Sequence, residues 1–375
     1  MTTVYDISLQ VMKQVTDVLE GLATDGSATY LKDVDMLIQP NQYYDRGTLW
    51  IKSGTHASKV VKVKGHANNK LTFNPLPSVI CVQQVETATV LGTVTGSGNA
   101  TLVMTALNMV NSPKTISVAV VNGDSATSVA TKIRTALNAD TDVNNFFTIG
   151  GSGADVSLTT KTARANDTTL NLSIANGTCT GLTAAPTSAN TTAGVAGPRY
   201  ALARGVFPWE QVMQSIQTAL DETHVTGEDE SLTGDGETLE FILPAGVSDI
   251  KRVEFERPSV ANYQPISNHW QERPGLLRFD YGYAPVEDDV VHVFYRKNHD
   301  DITDYSIEIH TEINRDWLVL AAARELLFWG AGMYGNKSEY MIEERLNKVL
   351  NMLKGKAARL GGPDVRVKSA GGSTW

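Results

Sequence analysis

Three short stretches of the sequence bring together side chains that could do chemistry. Residues 299–304, HDDITD, place an imidazole and three carboxylates within six positions, and these donors suit a divalent cation. Asp and Thr also start turns and cap helices, and a helical pattern follows soon after, so we favour a turn or a cap. Residues 227–238, GEDESLTGDGET, hold five acids without the spacing of a calcium loop. We interpret them as a solvated loop.

The third stretch, residues 330–338 (GAGMYGNKS), differs from a phosphate-binding loop at one position. Gly330 and Gly335 have the required spacing, but Asn336 stands where the pattern needs a lysine, and Lys337 follows it. The stretch also follows a predicted helix, whereas a phosphate-binding loop follows a strand. We therefore interpret it as a turn between helices.

The remaining reactive side chains form no catalytic or metal-binding pattern. The seven histidines include no HExxH pair, and no GxSxG sequence is present. Cys81 and Cys179 provide neither a disulfide framework nor a zinc-binding spacing. We therefore predict that the protein is not an enzyme, and we expect no catalytic residue, metal site or cofactor.

The length and the charge of the chain limit the number of domains and the kinds of partner that we expect. A chain of 375 residues suggests two or three domains. Its net charge of -9 argues against a surface that grips nucleic-acid phosphates. Residues 87–113 and 168–198 are uncharged, but they are rich in Thr, Asn, Gly and Ser, which are too polar for a membrane span. The N-terminus lacks the pattern of a signal peptide, and we expect no membrane association.

Residues 82–197 differ in composition from the rest of the chain. About 11 of these 116 residues are charged, against about 62 of the other 259, and the only aromatic residues are Phe146 and Phe147. Such a contrast marks a domain boundary on each side. Alternating apolar and polar residues predict half-buried strands in ATLVMTA, TISVAVV, DVSLTTK and TLNLSIA. Residues 125–140 instead predict a helix, with Ser125 as its cap and an apolar face formed by Val129, Ile133 and Leu137.

Helices and antiparallel strands are predicted on both sides of this block. Residues 6–21 predict a helix that Asp6 caps and Gly21 ends, and three strands follow, with turns at Gly54, Gly65 and Asn68–Asn69. After the block, an apolar stripe predicts a helix that begins near Pro208. Four strands then follow, in TLEFILP, IKRVEFERP, GLLRFDYGY and VVHVFYRK. Because the antiparallel pattern resumes after the block, the block is predicted to be an insertion at a loop.

The predicted fold class is α+β. A helical and antiparallel β host domain with a C-terminal helical hairpin is interrupted by an inserted β-rich domain, either Ig-like or small α+β. The predicted boundaries are residues 1–84 for the first part of the host, 85–197 for the insertion and 198–375 for the second part. A basic tail begins at about residue 361.

The sequence ends with two leucine-rich helical segments that form the predicted hairpin. The first carries more large apolar residues than one buried stripe needs, so we expect Trp317, Phe328 and Trp329 to contact a neighbouring subunit or partner. The second helical segment is followed by further basic residues. The helix dipole favours basic residues at the end of the helix, but it does not account for those beyond that end. We expect this segment to bind an acidic groove, through Lys354, Lys356, Arg359, Arg366, Lys368 and Trp375.

Several of these segments resemble head–tail connector proteins of tailed bacteriophages. They are YYDRGTLWIKSGTHASKVVKV, the helix after VFPWEQV, and EINRDWLVLAAARELLFWGAG with the Leu-rich helix after it. The central block is similar to the add-on β-domains of phage structural proteins, particularly in TGSGNATLVMTA and IANGTCTGLTAAPTSANTTAG. The resemblance implies a structural protein of the virion neck that is made in the cytoplasm of the host bacterium.

A connector of this family is one subunit of a ring, usually of twelve, that docks under the portal and lines the DNA channel. The resemblance therefore implies a homo-oligomer with the portal above it, a tail or further neck protein below it, and non-specific proximity to packaged DNA. The portal would supply the acidic groove for the basic segment, with DNA as the alternative, and the block would face outward. The competing interpretations are another tail or baseplate component and a carbohydrate-binding adhesive protein. The latter usually needs exposed Trp or Tyr, which the block lacks.

Overall fold

A computed structural model describes residues 2–257, 260–266, 269–334 and 341–360. Within these residues the chain is mixed α+β, with six helices and antiparallel strands in several sheets, and the predicted α+β class is confirmed. The chain divides into two compact units. One is Val18–Pro208, and the other combines Met1–Asp17 with the chain from Trp209 onward.

The N-terminal helix begins earlier and ends earlier than the sequence pattern predicts. Helix α1 spans Val4–Val15 and is capped by Thr3 rather than by Asp6. Thr3 and Asp6 form a capping box, in which the Thr3 hydroxyl accepts the Asp6 N–H at 3.4 Å and the Asp6 carboxylate accepts the Thr3 N–H at 3.1 Å. Gly21 does not end the helix, because the chain has already turned into strand β1 (Val18–Leu22).

The larger unit is built around a seven-stranded sheet in the order β1-β16-β4-β5-β6-β3-β2. Its first six strands precede the central block: β1, β2 (Asp25–Gly26), β3 (Tyr30–Lys32), β4 (Thr48–Ile51), β5 (Lys59–Ala67) and β6 (Lys70–Phe73). Asn68 and Asn69 both have positive φ and form the predicted turn between β5 and β6. The prediction of a turn at Gly65 is wrong, because β5 continues through this glycine with a shift of register against β6.

The central block folds around a core of its own. Its strands are β7 (Val85–Thr89), β8 (Leu91–Gly96), β9 (Gly98–Thr105), β10 (Lys114–Val120), β11 (Phe147–Gly150), β12 (Asp155–Thr160), β13 (Asn171–Asn176), β14 (Thr180–Thr183) and β15 (Ala189–Thr192). They form three sheets, in the orders β10-β9-β13, β11-β12-β7-β15 and β14-β8. Helices α2 (Ala126–Ala139) and α3 (Thr141–Phe146) separate β10 from β11. The four predicted strands and the predicted helix are confirmed, with Ser125 as its cap and Val129, Ile133 and Leu137 fully buried.

After the block, the chain returns to the seven-stranded sheet. Strand β16 (Arg199–Ala203) lies between β1 and β4 and pairs with both in antiparallel register. Its Tyr200 is fully buried and donates a hydrogen bond from its hydroxyl to Asp33 at 2.8 Å. Residues 85–197 are predicted to be a separate inserted domain, which means that they fold without the host. This remains a prediction.

The second unit combines helices with two small antiparallel sheets. Its elements after Trp209 are α4 (Trp209–Asp221), β17 (Val225–Thr233), β18 (Glu240–Ile242), β19 (Ile250–Arg257), β20 (Val260–Pro265), β21 (Trp270–Arg273), β22 (Leu276–Phe279), β23 (Val290–Lys297), α5 (Arg315–Tyr334) and α6 (Ile342–Leu360). The sheets have the orders β17-β23-β19-β20 and β18-β22-β21. One core joins their apolar faces, through residues such as Val253, Phe255, Leu277, Phe279 and Val293.

Candidate functional site

Helix α5 is the centre of the helical part of its unit. It packs against α1, α4 and α6, and this explains why apolar residues occur on all its sides. Leu318, Ala322 and Leu326 are fully buried. The Asn314 side chain caps the helix by accepting the Trp317 N–H at 3.0 Å. Contacts within the unit therefore account for most of the apolar surface of α5.

The three predicted interface residues differ in exposure. Phe328 is 45% exposed, whereas Trp317 and Trp329 are partly buried. The Trp329 ring meets the Tyr334 ring edge-on, with 6.1 Å between their centroids. Trp317 and Phe328 lie eleven positions apart, which is about three helical turns, and so they share one face of α5. Phe328, together with the 63% exposed Met333, supplies the apolar surface that α5 leaves open near its end.

Ion pairs connect the helices of this unit. Arg324 Nη2 donates to both carboxylate oxygens of Glu222, at 2.8 and 2.9 Å, and Arg324 Nε donates to Glu325 at 2.7 Å. Burial lowers the pKa of Arg324, but these two carboxylates outweigh it and raise the pKa. Arg345 of α6 donates to Asp17 at 2.8 Å. Arg324 thereby connects α5 to the residue that follows α4, and Arg345 connects α6 to the residue-17 region that follows α1.

The predicted partner-binding residues of the C-terminal segment fall partly within the described residues. Lys354 is exposed on α6. Lys356 forms an ion pair with the exposed Asp316 at the start of α5. Arg359 lies on α6 near its end, and its side chain is outside the described residues. Arg366, Lys368 and Trp375 also lie outside the described residues. Of the turn predicted at residues 330–338, residues 330–334 belong to α5 instead, and residues 335–338 lie outside the described residues.

The stretch HDDITD does not cap α5, but its last residue forms the other predicted feature, a turn, in which the Asp304 side chain accepts the Ser306 N–H. The stretch also forms part of a cleft. His299 is 9% exposed and lines a cavity of about 320 Å³ together with Lys297, Asp300, Glu308 and His310. Its Nδ1 lies 2.8 Å from the backbone oxygen of Asp300, and its Nε2 accepts the backbone N–H of His310 at 3.3 Å. Both ring nitrogens therefore contact the backbone, and the ring links Asp300 to His310 within this loop.

The acidic stretch 227–238 is a loop only in its second half. Residues up to Thr233 belong to β17, so the interpretation of the whole stretch as a solvated loop is wrong. The period of two in a strand places Glu228 and Glu230 on the same face, opposite to the core. That face of β17 lies beside β23, on which His292 occupies the same side of the sheet.

His292 is surrounded by carboxylates although its own side chain is 2% exposed. Its Nδ1 lies 2.9 Å from Glu228 Oε1 and 3.5 Å from Glu230 Oε1. Its Nε2 lies 3.2 Å from Glu256 Oε2 of β19. Burial lowers the pKa of His292, but hydrogen bonds with Glu228 and Glu256 and the charge of Glu230 outweigh it and raise the pKa.

We call Glu228, Glu230, His292 and Glu256 the His292 cluster. It is the part of the chain whose chemistry the sequence pattern did not reveal. Alternation in VTGEDESLT assigns Glu228 and Glu230 to one polar strand face, but VVHVFYRK gives no such signal for His292, which shares its face with Val290 and Phe294. The sequence pattern does not indicate that β17, β23 and β19 pair with one another, because long stretches of sequence separate the three strands.

The two cysteines are buried and free. Burial, with a smaller effect of the Asp25 charge, raises the pKa of the Cys81 thiol to about 12. A thiol with this pKa is protonated at neutral pH, and it is therefore a poor nucleophile.

Comparisons with known proteins do not assign the chain to a class. No protein-family model matches the sequence, and no curated protein matches it. Among the described residues, no helix combines the length and the apolarity that a membrane crossing requires.

Proposed function

We propose that this chain is a structural protein of a tailed-phage virion, a ring-forming head–tail connector that docks under the portal. The observation that carries the proposal is the exposed end of α5. Phe328 and Met333 remain exposed on a helix whose other large residues are mostly packed against α1, α4 and α6. Apolar surface of this kind is favourable where a partner covers it. The partner in this proposal is a second copy of the chain in the ring.

The charge of the chain supports a position around DNA. Its net charge is -9, with 41 acidic against 32 basic residues. A channel that passes DNA without retaining it requires walls that do not attract phosphates, and an acidic chain meets this requirement. The proposal therefore includes non-specific proximity to DNA and assigns no catalytic role to the chain.

The basic end of the chain is proposed to attach the ring to the portal. Lys354 is exposed, and Lys356 pairs with the exposed Asp316, an ion pair of small energetic value. Both side chains can therefore move from these positions into an acidic groove with only a small loss of free energy. Arg359, Arg366, Lys368 and Trp375 extend the same segment in the sequence.

Residues 85–197 are proposed to be an inserted domain, Ig-like or small α+β, that faces outward from the ring. Two observations support an insertion. The block has its own buried core, which includes Leu102, Ile133 and Leu158. The strand that follows it, β16, enters the middle of a sheet whose other strands precede it. A tail or baseplate component is the alternative within the virion, and a carbohydrate-binding adhesive protein is the alternative outside this class.

The proposal is tested by mixing the purified chain with portal rings and measuring co-elution in size-exclusion chromatography. A connector is expected to join the portal peak at a fixed ratio. Elution of the chain apart from the portal, at every salt concentration and mixing ratio, would reject the connector assignment. Retention of the chain on immobilised glycans would instead support the adhesive protein.

A further inference from the structure

We propose that the His292 cluster binds one divalent transition-metal ion of the Zn²⁺ type. The ligands are His292 Nδ1 and one carboxylate oxygen each from Glu228 and Glu230. Glu256 is a positioning residue that accepts a hydrogen bond from His292 Nε2. This site goes beyond the proposed connector function, and it departs from the expectation of no metal site.

The spacing of the donor atoms fits a single ion. The three ligand atoms all lie within 4.8 Å of one another. Zinc binds imidazole nitrogen and carboxylate oxygen at about 2.0–2.2 Å, so two ligands of one ion lie about 2.9–3.4 Å apart at ordinary coordination angles. The separations of His292 Nδ1 from Glu228 Oε1 and Glu230 Oε1 are 2.9 and 3.5 Å. An ion can therefore take the place of a proton on Nδ1 with only small movements of the glutamate side chains.

The contact with Glu256 prepares the ring for this role. A hydrogen on Nε2 that points to Glu256 Oε2, at 3.2 Å, leaves the lone pair of the neutral ring on Nδ1, facing Glu228 and Glu230. A carboxylate behind the imidazole is a recurrent feature of metal sites, because it fixes the tautomer and makes the ring more basic. Since His292 is buried on the central strand β23, its ring is also restrained by packing.

The charge around the cluster favours a cation. Three carboxylates contact one imidazole, so the cluster concentrates negative charge around His292. Arg252, a cation on the neighbouring strand, contacts Glu254 at 3.2 Å and stacks on the Phe294 ring at 4.0 Å. A divalent ion bound between Glu228 and Glu230 offsets the charges of both.

The site is also accessible, and its donor set is selective. The side chains of Glu228 and Glu230 are 43% and 61% exposed, so an ion can enter from solvent. One imidazole with two carboxylates suits zinc and its neighbours in the first transition row better than calcium or magnesium, which prefer oxygen ligands alone. Three protein ligands leave room for water to complete the coordination. Bound metal would join β17 to β23.

The test uses the full chain, treated with EDTA and dialysed, and titrated with ZnCl₂ in a calorimeter. We expect one ion per chain, and we expect the temperature of unfolding to rise by a few degrees, because the ion binds the folded state. Glu230→Gln removes one exposed ligand and should weaken binding at least about tenfold. Glu256→Gln should weaken it about tenfold through loss of ring positioning. Glu287→Gln, an exposed acid outside the cluster, is the matched control and should bind as the unchanged chain does.

Cobalt substitution supplies a second readout. Co²⁺ bound by His292, Glu228 and Glu230 should give visible absorption bands, which disappear in His292→Gln. Circular dichroism checks that each variant is folded. The absence of stoichiometric zinc binding would overturn the proposal. It would also be overturned if Glu228→Gln and Glu230→Gln, alone and combined, bound zinc as tightly as the unchanged chain.

Discussion

Val82 and Val195 exchange two backbone hydrogen bonds, with N–O distances of 3.0 and 2.9 Å. These residues lie at the two ends of the central block, so the chain leaves the seven-stranded sheet and returns to it at one place. Closely spaced ends are what an insertion at a loop requires, because the host chain can then be joined without the inserted residues. The pair also lies in the geometry from which a two-residue hairpin turn can start.

Replacing residues 83–194 by Asn-Gly should leave a folded protein that keeps the seven-stranded sheet. The excision removes the contacts of Ala163 with the rest of the unit. Its methyl group packs into the core beside that sheet, and its N–H donates to Thr24 O at 2.7 Å. This loss should cost about 1–2 kcal/mol of unfolding free energy. Far-UV circular dichroism and urea unfolding followed by tryptophan fluorescence measure it. Trp50 of β4 reports on this sheet, and the other five tryptophans lie outside residues 18–208, so the transition is compared with that of the unchanged chain.

The matched experiment expresses residues 83–194 alone. Because the block buries a core of its own, this fragment should fold and show protected amides in α2. An unfolded fragment combined with an insoluble excision variant would show that the block and the sheet share one core, against the insertion hypothesis.

Local pattern was sufficient for most elements of this fold. Alternation located β9, β10, β12 and β13, and helical spacing with the Ser125 cap located α2. Errors arose where a local signal had two physical meanings. Gly65 predicts a turn, but a glycine in a strand also permits a bulge, and here β5 shifts register at this point. Thr3 competed with Asp6 for the cap of α1, and the two residues act together.

The His292 cluster was beyond the reach of local pattern for a different reason. The sequence separates Glu228, Glu256 and His292 by tens of residues, and only the order β17-β23-β19 brings them to one ring. An acidic run such as residues 227–238 is compatible with a loop and with a polar strand face. The choice between them is made by tertiary pairing, which no short window of sequence contains.

Asp124 should make the stability of the block depend on acid pH. Hydrogen bonds from Lys132 and from the backbone N–H of Val121 hold its pKa at about 2, below the usual value of 3.8. Because the folded pKa is the lower one, the stabilisation is present above about pH 4 and is lost as the pH falls towards 2. Asp124→Asn should therefore lower the melting temperature at pH 6, measured by circular dichroism, and the difference should close near pH 2. A constant difference across this range would contradict the assignment.

Phe328→Glu should prevent assembly while leaving the subunit folded. Phe328 is 45% exposed, so a charge there is tolerated in the single chain, but it would be buried unpaired in a subunit interface. We expect ring formation or portal binding to weaken about tenfold or more, as measured by analytical ultracentrifugation. Tyr281→Glu, at an aromatic residue that is 94% exposed in the other part of the unit, is the control. Equal assembly by both variants would exclude α5 from the interface.

Deleting residues 361–375 should weaken attachment to the portal without unfolding the chain. The deletion removes Arg366, Lys368 and Trp375 but keeps Lys354 and Lys356 on α6. Attachment by the intact chain should fall as NaCl rises from about 50 to 500 mM, since salt screens exposed charges. The truncated chain should show a smaller salt effect in surface plasmon resonance. If truncation left affinity and salt dependence unchanged, the tail would have no part in docking.

Electron microscopy of the purified chain, alone and mixed with portal, tests the connector proposal most directly. We expect a closed ring of this chain, twelve subunits in number, stacked coaxially on one end of the portal. Assembly is expected to be more complete on the portal than in its absence, because a template raises the local concentration of subunits. Particles in which the portal carries no added ring, at concentrations where the chain is in excess, would contradict the account.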